Sequence, residues 1–401
     1  MLSFHAISDV GHRRKNNEDS LLAADEHDLF VVADGVGGRK AGELASAITI
    51  NTFQGNASRI KAAANAYAAE PQRQNKDALL RLLHELTNTA SKRVYETATT
   101  TNRQGMTTTV VAAVVAGGGA FIAHVGDSRA YLIRAGTARQ VTQDHSIVNE
   151  LLQTGAITPD EARVSKYRNV ITRAVGLYPQ VKVDTLFLDL VDGDRIMLCT
   201  DGLSDLVEEE NIAQIASSGN VTHATENLVQ QALHNGGTDN VSVIMVEPKE
   251  TLEAAAVVAR AKAMENLFLF RDIPFHARLR VSRIVREVHV KPRDIVVTQG
   301  EPGDTLYVVV SGAFAVTVDG VEVASLTQGE HFGEVALVDN SPRSATITSV
   351  GTGYLLAIER SVFREFCVME SSLGNVMLWR LLSTLGDRLR HMNSLVSQIE
   401  S

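Results

Sequence analysis

The stretch Leu29-Phe30-Val31-Val32-Ala33-Asp34-Gly35-Val36-Gly37-Gly38 decides how this sequence is read. The apolar run reads as a buried strand, and it ends abruptly on a carboxylate. Gly35, Gly37 and Gly38 permit a tight turn and close approach of backbone to a bound group. An Ala-rich, helix-forming segment follows at 41–48. An acid at the tip of a buried strand is costly unless an arginine, a set of backbone N–H donors or a metal offsets it. One such Asp is equally well a turn cap.

Acids in matching settings recur, and that changes the reading. The apolar run 120–125 ends in Gly126-Asp127-Ser128-Arg129. The run 194–199 leads into Thr200-Asp201-Gly202-Leu203-Ser204-Asp205, and Gly236-Gly237-Thr238-Asp239-Asn240 introduces the strand 241–246. A polar turn, Asp9 to Asp19, lies ahead of them all. Carboxylate clusters without His or Cys favour hard cations with oxygen ligands, namely magnesium or manganese. Two such ions about 4 Å apart hold and acidify a water and neutralise phosphoryl oxygens. A guanidinium nearby, with its planar fork, would complete a phosphate site.

The chain of 401 residues is too long for one ordinary core and predicts two or three domains. Its 44% hydrophobic and 21% charged residues describe a globular protein, and a net charge of −9 offers no basic footprint for nucleic acid or an anionic membrane. Cys199 and Cys367 stand far apart in apolar runs, which reads as two buried thiols and a reducing compartment. No cationic leader and no apolar window of about 18 residues are visible, so a cytoplasmic protein is expected.

Helices are expected from about 41 and over 75–97, where Leu79, Leu82, Leu83, Leu86 and Ala90 recur at helical spacing. Residues 55–71 read as a connection between them. From residue 107 onward β-branched runs joined by short turns predict antiparallel sheet, with Gly117-Gly118-Gly119 and Asp192-Gly193 as hairpin turns. Residues 144–169 are polar and helix-like, an excursion over the sheet that would serve as a flap.

Taken together, Asp9-x-Gly11-x-x-Arg14-x-x-Asn17-Glu18-Asp19, Asp34-Gly35-x-Gly37-Gly38, Gly105-x-Thr107-Thr108, Gly126-Asp127-Ser128-Arg129, Asp201-Gly202-x-x-Asp205 and Gly237-x-Asp239-Asn240 resemble the metal-dependent serine/threonine protein phosphatases of type 2C, over residues 3–247. The resemblance implies two antiparallel sheets packed face to face, helices outside, and a two-metal centre where the strand-end acids converge. It implies that Asp34 bridges both ions, that Glu18 and the Gly35 carbonyl serve one, and that Asp201 and Asp239 serve the other. Asp127 and Asp205 match positions for a weaker third ion, Asp19 would hold waters of the cluster, and Arg14 would grip the substrate phosphate. The nucleophile would be a water held between the ions, with no covalent phosphoenzyme. Family members from eukaryotes often carry a His where this chain has Val36, so the proton for the leaving alkoxide must come from elsewhere, either a water of the metal centre or His145.

Residues 249–266 form an Ala-rich helical joint without a Pro- or Ser-rich break. Short strands with Gly turns then run from residue 293, which predicts a compact β-roll. Within it, Phe332-Gly333-Glu334-Val335-Ala336-Leu337 begins a short turn of helix whose free N–H groups suit an anion, with Arg343 and Ser344 close behind. This cassette, with Gly300-x-x-Gly303-Asp304, Tyr307 and Gly312, resembles the cyclic-nucleotide-binding domains of bacterial regulators, kinases and channels. The resemblance implies that Glu334 takes the ribose, that Arg343 takes the cyclic phosphate with the Gly333, Val335 and Ala336 backbone, and that Ser344 faces the base of cyclic AMP or cyclic GMP. At the end, Leu378, Leu382, Leu385, Leu389, Met392, Val396 and Ile399 alternate at spacings of four and three, the seam of a coiled coil, which predicts a homodimer.

The expected fold is therefore α+β: an antiparallel β-sandwich flanked by helices over 1–248, a joint at 249–266, a β-roll over 267–370 and a C-terminal helix over 371–401. The expected function is hydrolysis of phosphoserine and phosphothreonine in a protein substrate, opposing a kinase and regulated by a cyclic nucleotide. Two rivals are a catalytically silent nucleotide receptor, and an active phosphatase whose roll serves only dimerisation.

Overall fold

The computed structural model describes residues 2–36, 41–270 and 273–399, and Gly37 and Gly38 of the opening motif lie outside them. The chain divides into two compact units, Met1–Ala254 and Ala255–Ser401. Among the described residues no helix is long and apolar enough to cross a membrane.

The first unit runs β1 (Ser3–Asp9), β2 (Asp19–Ala24), β3 (Leu29–Val36), then α1 (Gly42–Gln54), α2 (Ala57–Ala69) and α3 (Arg73–Thr100). Next come β4 (Thr107–Thr108), β5 (Val110–Ala116), β6 (Gly119–Val125), β7 (Arg129–Arg134) and β8 (Thr137–Gln140). A helical excursion, α4 (Ile147–Gln153) and α5 (Pro159–Arg163), precedes β9 (Asp184–Asp189) and β10 (Arg195–Cys199). The unit closes with α6 (Asp201–Ser204), α7 (Glu209–Ala216), α8 (Val221–His234) and β11 (Val241–Glu247).

These strands build two antiparallel sheets, one in the order β1-β11-β10-β7-β8 and one in the order β2-β3-β5-β6-β9. The unbroken apolar character of β3, β5 and β6 follows, because both of their faces are covered. Leu29, Val31 and Ala33 join α3 residues Leu79, Leu83 and Leu86 in one core, while Phe30 and Val32, also fully buried, point the opposite way. Phe30 meets Phe4 of the other sheet with ring centroids 5.5 Å apart. On the outer face of the β1 sheet, Met197, Val243 and Met245 pack against Leu228 and Val229 of α8.

Two expectations need correction. Residues 55–71 are no loop: α2 occupies most of them, burying Ile60, Ala64 and Tyr67 at helical spacing, and its alanines were too weak a periodic signal to show it. Asp192-Gly193 does not close a hairpin, since β9 and β10 belong to different sheets. The chain likewise changes sheets between β1 and β2 and between β6 and β7. The turns that carry Glu18 and Asp127 are thus crossings between layers.

The second unit opens with α9 (Ala254–Asn266), α10 (Phe275–Val281), β12 (Val285–Val290), β13 (Ile295–Val297), β14 (Thr305–Ser311), β15 (Phe314–Val318), β16 (Val321–Leu326) and β17 (His331–Phe332). It continues with β18 (Thr346–Ser349), β19 (Gly353–Glu359), α11 (Arg360–Met369) and α12 (Ser371–Ile399). Its two four-stranded sheets, β12-β19-β14-β17 and β13-β18-β15-β16, enclose Val309, Phe314, Ile347 and Leu355. Ala263 and Met264 of α9 pack with Phe363 of α11 and Met377 and Leu381 of α12 against the outer face of β14 and β19.

Along α12 two stripes separate. Met377 and Leu381 are buried in the unit's own core, whereas Leu378, Leu382 and Leu389 are 40%, 57% and 60% exposed. Leu385 lies between the stripes, packed against the edge of the core. The side chains of Met392, Val396 and Ile399 lie outside the description.

Candidate functional site

Asp9, Asp19, Asp34, Asp127, Asp201 and Asp239 lie at one end of the sandwich. Asp19 pairs with Asp34 across β2 and β3, Asp9 with Val241 across β1 and β11, and Cys199, just before Asp201, with Val243. Asp127 sits in the crossing from β6 to β7, Asp201 opens α6, and Asp239 immediately precedes β11.

A lattice of neutral donors fixes the main chain here. The Asp34 N–H donates to Thr109 Oγ1 at 3.0 Å, and Thr108 Oγ1 donates to the Asp34 carbonyl at 2.7 Å. The Glu18 N–H donates to Asn240 Oδ1 at 2.8 Å, and the Gly35 N–H donates to the Glu18 carbonyl at 3.1 Å. Asp19 Oδ2 accepts from Thr200 Oγ1 at 2.9 Å and from Ser242 Oγ at 2.7 Å.

The carboxylates crowd one another. Burial and the neighbouring Asp201, Asp19 and Asp127 hold Asp34 well above the usual carboxylate range. Burial, then Asp201 and Asp144, push Asp127 up to about 8. Burial also raises Asp19 to about 7 against its hydrogen bonds from Ser242 and Thr200, and raises Asp201 to about 6 with Asp205 and Asp239 adding to it. A hydrogen bond between Asp34 and Asp201 adds to the rise at Asp34 and opposes the rise at Asp201. Asp205 is raised by burial, relieved by Arg129 and Arg168. Such a set binds cations or protons to be tolerable.

Whether it fits divalent ions is tested by its unspent atoms. Asp19 Oδ1 and Asp201 Oδ1 are buried without a hydrogen-bond partner. A side chain at Gly42 would put its Cβ 2.5 Å from the Gly35 carbonyl oxygen and 2.7 Å from Glu18 Oε2, so the bare glycine leaves room where those two oxygens meet. Among the described residues, no three His, Cys, Asp or Glu side chains group closely enough to serve by themselves as a finished ligand set. Magnesium and manganese complete their shells with carbonyls and waters, and an all-oxygen donor set with orphaned carboxylate atoms fits them.

Arg14 extends from the β1–β2 loop and makes a 2.6 Å ion pair with Asp239 Oδ2; its side chain is 47% exposed. The hydrogen bond it donates to Asp239 raises its pKa, with Glu18 and Asp34 adding to the rise. Asp127, Asp201 and Asp205 share a cavity of about 40 Å³ with Ser146, Arg168 and Asn169 of the helical excursion. Val36 is exposed. His145 is buried, its Nδ1 accepting from the Gly126 N–H, so it faces the turn behind Asp127 and not a substrate. Gly42, Thr200 and Ser242 were not singled out from sequence; only their neighbourhood to the acids in space marks them.

In the second unit the cassette is a four-residue 3-10 turn, Glu334–Leu337, capped by Gly333 at φ +78°. The Ala336 N–H is spent on the Gly333 carbonyl at 3.1 Å, so it is no anion donor here. Glu334 is buried and Val335 and Ser344 are exposed. Arg343 Nη2 donates to the Thr305 carbonyl at 2.9 Å. Its guanidinium lies so close over Gly303 and Gly333 that a side chain at either would collide with it. Burial lowers the Arg343 pKa, against Tyr307, Asp304 and Glu334, which raise it. Tyr307 stacks on Phe332 with centroids 5.0 Å apart. Arg360, at the start of α11, donates to the carbonyls of Ala336 and Gly303, and Arg364 Nη2 donates to the Val338 carbonyl at 3.1 Å.

Comparison with known proteins follows the same division. Residues 11–235 match the family model for protein phosphatase 2C, and residues 287–369 match that for the cyclic nucleotide-binding domain. The serine/threonine phosphatase stp of Listeria welshimeri is 33% identical over 244 residues, which cover 60% of this chain and 93% of that protein. The serine/threonine protein phosphatase PstP of Mycobacterium tuberculosis is 35% identical over 247 residues, 62% of this chain and 45% of that protein. Among solved structures, the catalytic domain of PstP in complex with two manganese ions aligns at 33% identity and a TM-score of 0.52, covering 61% of this chain and 97% of that one. The Streptococcus agalactiae serine/threonine phosphatase aligns at 28% identity and a TM-score of 0.55, over 62% of this chain and all of that one (100%).

Proposed function

Because this chain belongs to the protein phosphatase 2C family and is a metal-dependent serine/threonine phosphoprotein phosphatase, we propose that its strand-end carboxylates form the hydrolytic centre and that a cyclic nucleotide on the second unit governs the rate. Asp34 would bridge two manganese or magnesium ions, with Glu18 and the Gly35 carbonyl on one and Asp201 and Asp239 on the other. Asp127 and Asp205 would take a weaker third ion, and Asp19 would order waters around them. When bound, the ions supply an acidified water as nucleophile and neutralise the phosphoryl oxygens. The observation that carries this reading is the pair of buried, unpartnered oxygens on Asp19 and Asp201, beside an Asp34 held well above the usual carboxylate range.

Arg14 would offer the substrate phosphate two parallel N–H groups, exchanging the Asp239 carboxylate for a phosphoryl anion. With no acidic group on Val36 and His145 enclosed, a water of the metal centre would be left to supply the proton for the leaving alkoxide. The phosphorylated substrate is a protein modified by a serine/threonine kinase, in the cytoplasm, where Cys199 and Cys367 remain unpaired thiols.

In the second unit, Arg343 would take the cyclic phosphate of cyclic AMP or cyclic GMP, Glu334 the ribose, and Ser344 the base. Arg343 would leave the Thr305 carbonyl to do so. The cassette carbonyls already held by Arg360 and Arg364 give α11 a direct connection to the ligand. A nucleotide alters the rate only if it binds two arrangements of the chain unequally.

The test is hydrolysis of phosphoserine and phosphothreonine peptides with manganese, with and without each nucleotide, on the native chain and Arg343→Ala. Activity that needs manganese, responds to a nucleotide, and loses that response in Arg343→Ala is the expected result. Full activity after exhaustive chelation would overturn the metal reading. A native rate indifferent to saturating nucleotide would overturn the regulatory one.

A further inference from the structure

The helical excursion of the first unit stands on a narrow neck. Ser146 and Ile171 form an isolated antiparallel bridge, the Ile147 N–H donates to the Val170 carbonyl at 3.0 Å, and the Thr172 N–H donates to the His145 carbonyl at 2.7 Å. His145 occupies this neck and is 4% exposed.

Two hydrogen bonds clasp it to the turn that carries Asp127. The His145 N–H donates to the Gly126 carbonyl at 2.8 Å, and the Gly126 N–H donates back to Nδ1 at 3.1 Å. On the far side of the ring, Nε2 lies 3.0 Å from Arg173 Nη1 and 3.4 Å from Asp184 Oδ2, and Arg173 Nη1 donates to Asp184 Oδ1 at 3.1 Å. A neutral imidazole carries one N–H. Since Nδ1 accepts from Gly126, the single N–H of a neutral ring belongs to Nε2, which lies between the Arg173 guanidinium and the Asp184 carboxylate. The His124 ring closes one face, with centroids 4.7 Å apart.

We propose that His145 is a positioning residue for catalysis: it locks the Gly126–Asp127 turn to the neck of the excursion and so sets the Asp127 carboxylate against Asp201 and Asp205. Both walls of the 40 Å³ cavity hang from it, Asp127 on one side and Ser146, Arg168 and Asn169 on the other. Asp184 and Arg173 orient the ring, and the Gly126 N–H reads that orientation. The inference rests on the reading that Asp127 takes part in binding divalent ions.

Two substitutions divide the clasp. His145→Asn places an amide oxygen where Nδ1 stands and keeps an acceptor for Gly126. His145→Gln reaches toward the Nε2 position and leaves the Gly126 N–H without its partner. The measurement is the manganese concentration giving half-maximal hydrolysis of p-nitrophenyl phosphate by the full chain, with KM and kcat taken at saturating manganese. His145→Gln is expected to raise the manganese requirement by about tenfold to about a hundredfold, the usual range for loss of a group that orients a ligand. His145→Asn should stay within about threefold of the parent, and KM should be unmoved in both. Should His145→Gln fail to fold, Asp184→Asn replaces it: the ring stays but loses its orienting carboxylate, and the manganese requirement rises again. Equal effects of the Asn and Gln substitutions, or none, would overturn the clasp. A parent chain with no manganese-dependent hydrolysis would instead overturn the metal reading beneath it.

Discussion

The two sites of this chain are built on opposite principles. The carboxylate site draws Glu18, Asp34, Asp127, Asp201 and Asp239 from distant parts of the sequence and brings them together at the ends of strands in two sheets. It is a surplus of like charge, stabilised by Ser, Thr and Asn side chains, with buried oxygens unspent. The arginine cassette is nearly contiguous in sequence, and its cation is already satisfied by a main-chain carbonyl. A site with unspent anions gains stability from its ligand. A site with a satisfied cation must give up an internal bond for one, which lowers its affinity for that ligand.

That contrast can be broken experimentally, and the largest effect belongs to the acids. Asp34→Asn should cost the phosphatase at least about a thousandfold in kcat, ~4 kcal/mol of transition-state stabilisation. Gly42→Ala, which crowds the Gly35 carbonyl and the Glu18 carboxylate while leaving every acid in the sequence, should cost about a hundredfold. Native kinetics for Gly42→Ala would mean that those two oxygens hold no ion.

Next in size is the pH response. Folded-state pKa values of about 6, 7 and 8 at Asp201, Asp19 and Asp127 lie above the unfolded value of about 3.9. Stability contributed by these groups is complete below the unfolded value and is lost as pH rises through the folded ones. Thermal melts of the chelated protein should therefore show the first unit weakening between about pH 4 and about pH 8, and manganese should reverse the trend. A flat profile would mean that the acids are not crowded in solution.

Smaller again, Arg343→Ala should weaken nucleotide binding in calorimetry by about tenfold, one charge-assisted bond of roughly 1.5–3 kcal/mol less the Thr305 bond surrendered. The last effect is on assembly. The exposed Leu378, Leu382 and Leu389 stripe predicts a dimer, and Asp at both Leu385 and Leu389 should give a monomer by sedimentation. A native chain that is monomeric at micromolar concentration would leave that stripe without a second copy.

What the sequence made legible was the part encoded locally. Glycine beside acid at the end of an apolar run announced the ends of β3 and β6 and the start of α6, and regular Gly turns announced the roll. What it concealed is set by contacts across the fold. The alanines of α2 gave no stripe until Ile60, Ala64 and Tyr67 found a core to face. Strands joined by short turns looked like neighbours, although β6 and β7, and β9 and β10, lie in different layers. Gly42 looked like an ordinary helix residue, because what it makes room for comes from residues 18 and 35. His145 looked like a proton donor until its two bonds to Gly126 were seen.

Asp19 belongs to one sheet yet takes both of its side-chain hydrogen bonds, from Thr200 and Ser242, from the ends of two inner strands of the other. It is a rivet through the sandwich. The two layers therefore cannot slide past each other, even by a fraction of a residue, without tearing a buried carboxylate from its donors. Any force that shears the sheets, whether from heat, a docking partner or the pull of a neighbouring domain, would register first at this point. In mechanical terms, two hydrogen bonds to one carboxylate tie the layers together at the end where the acids gather.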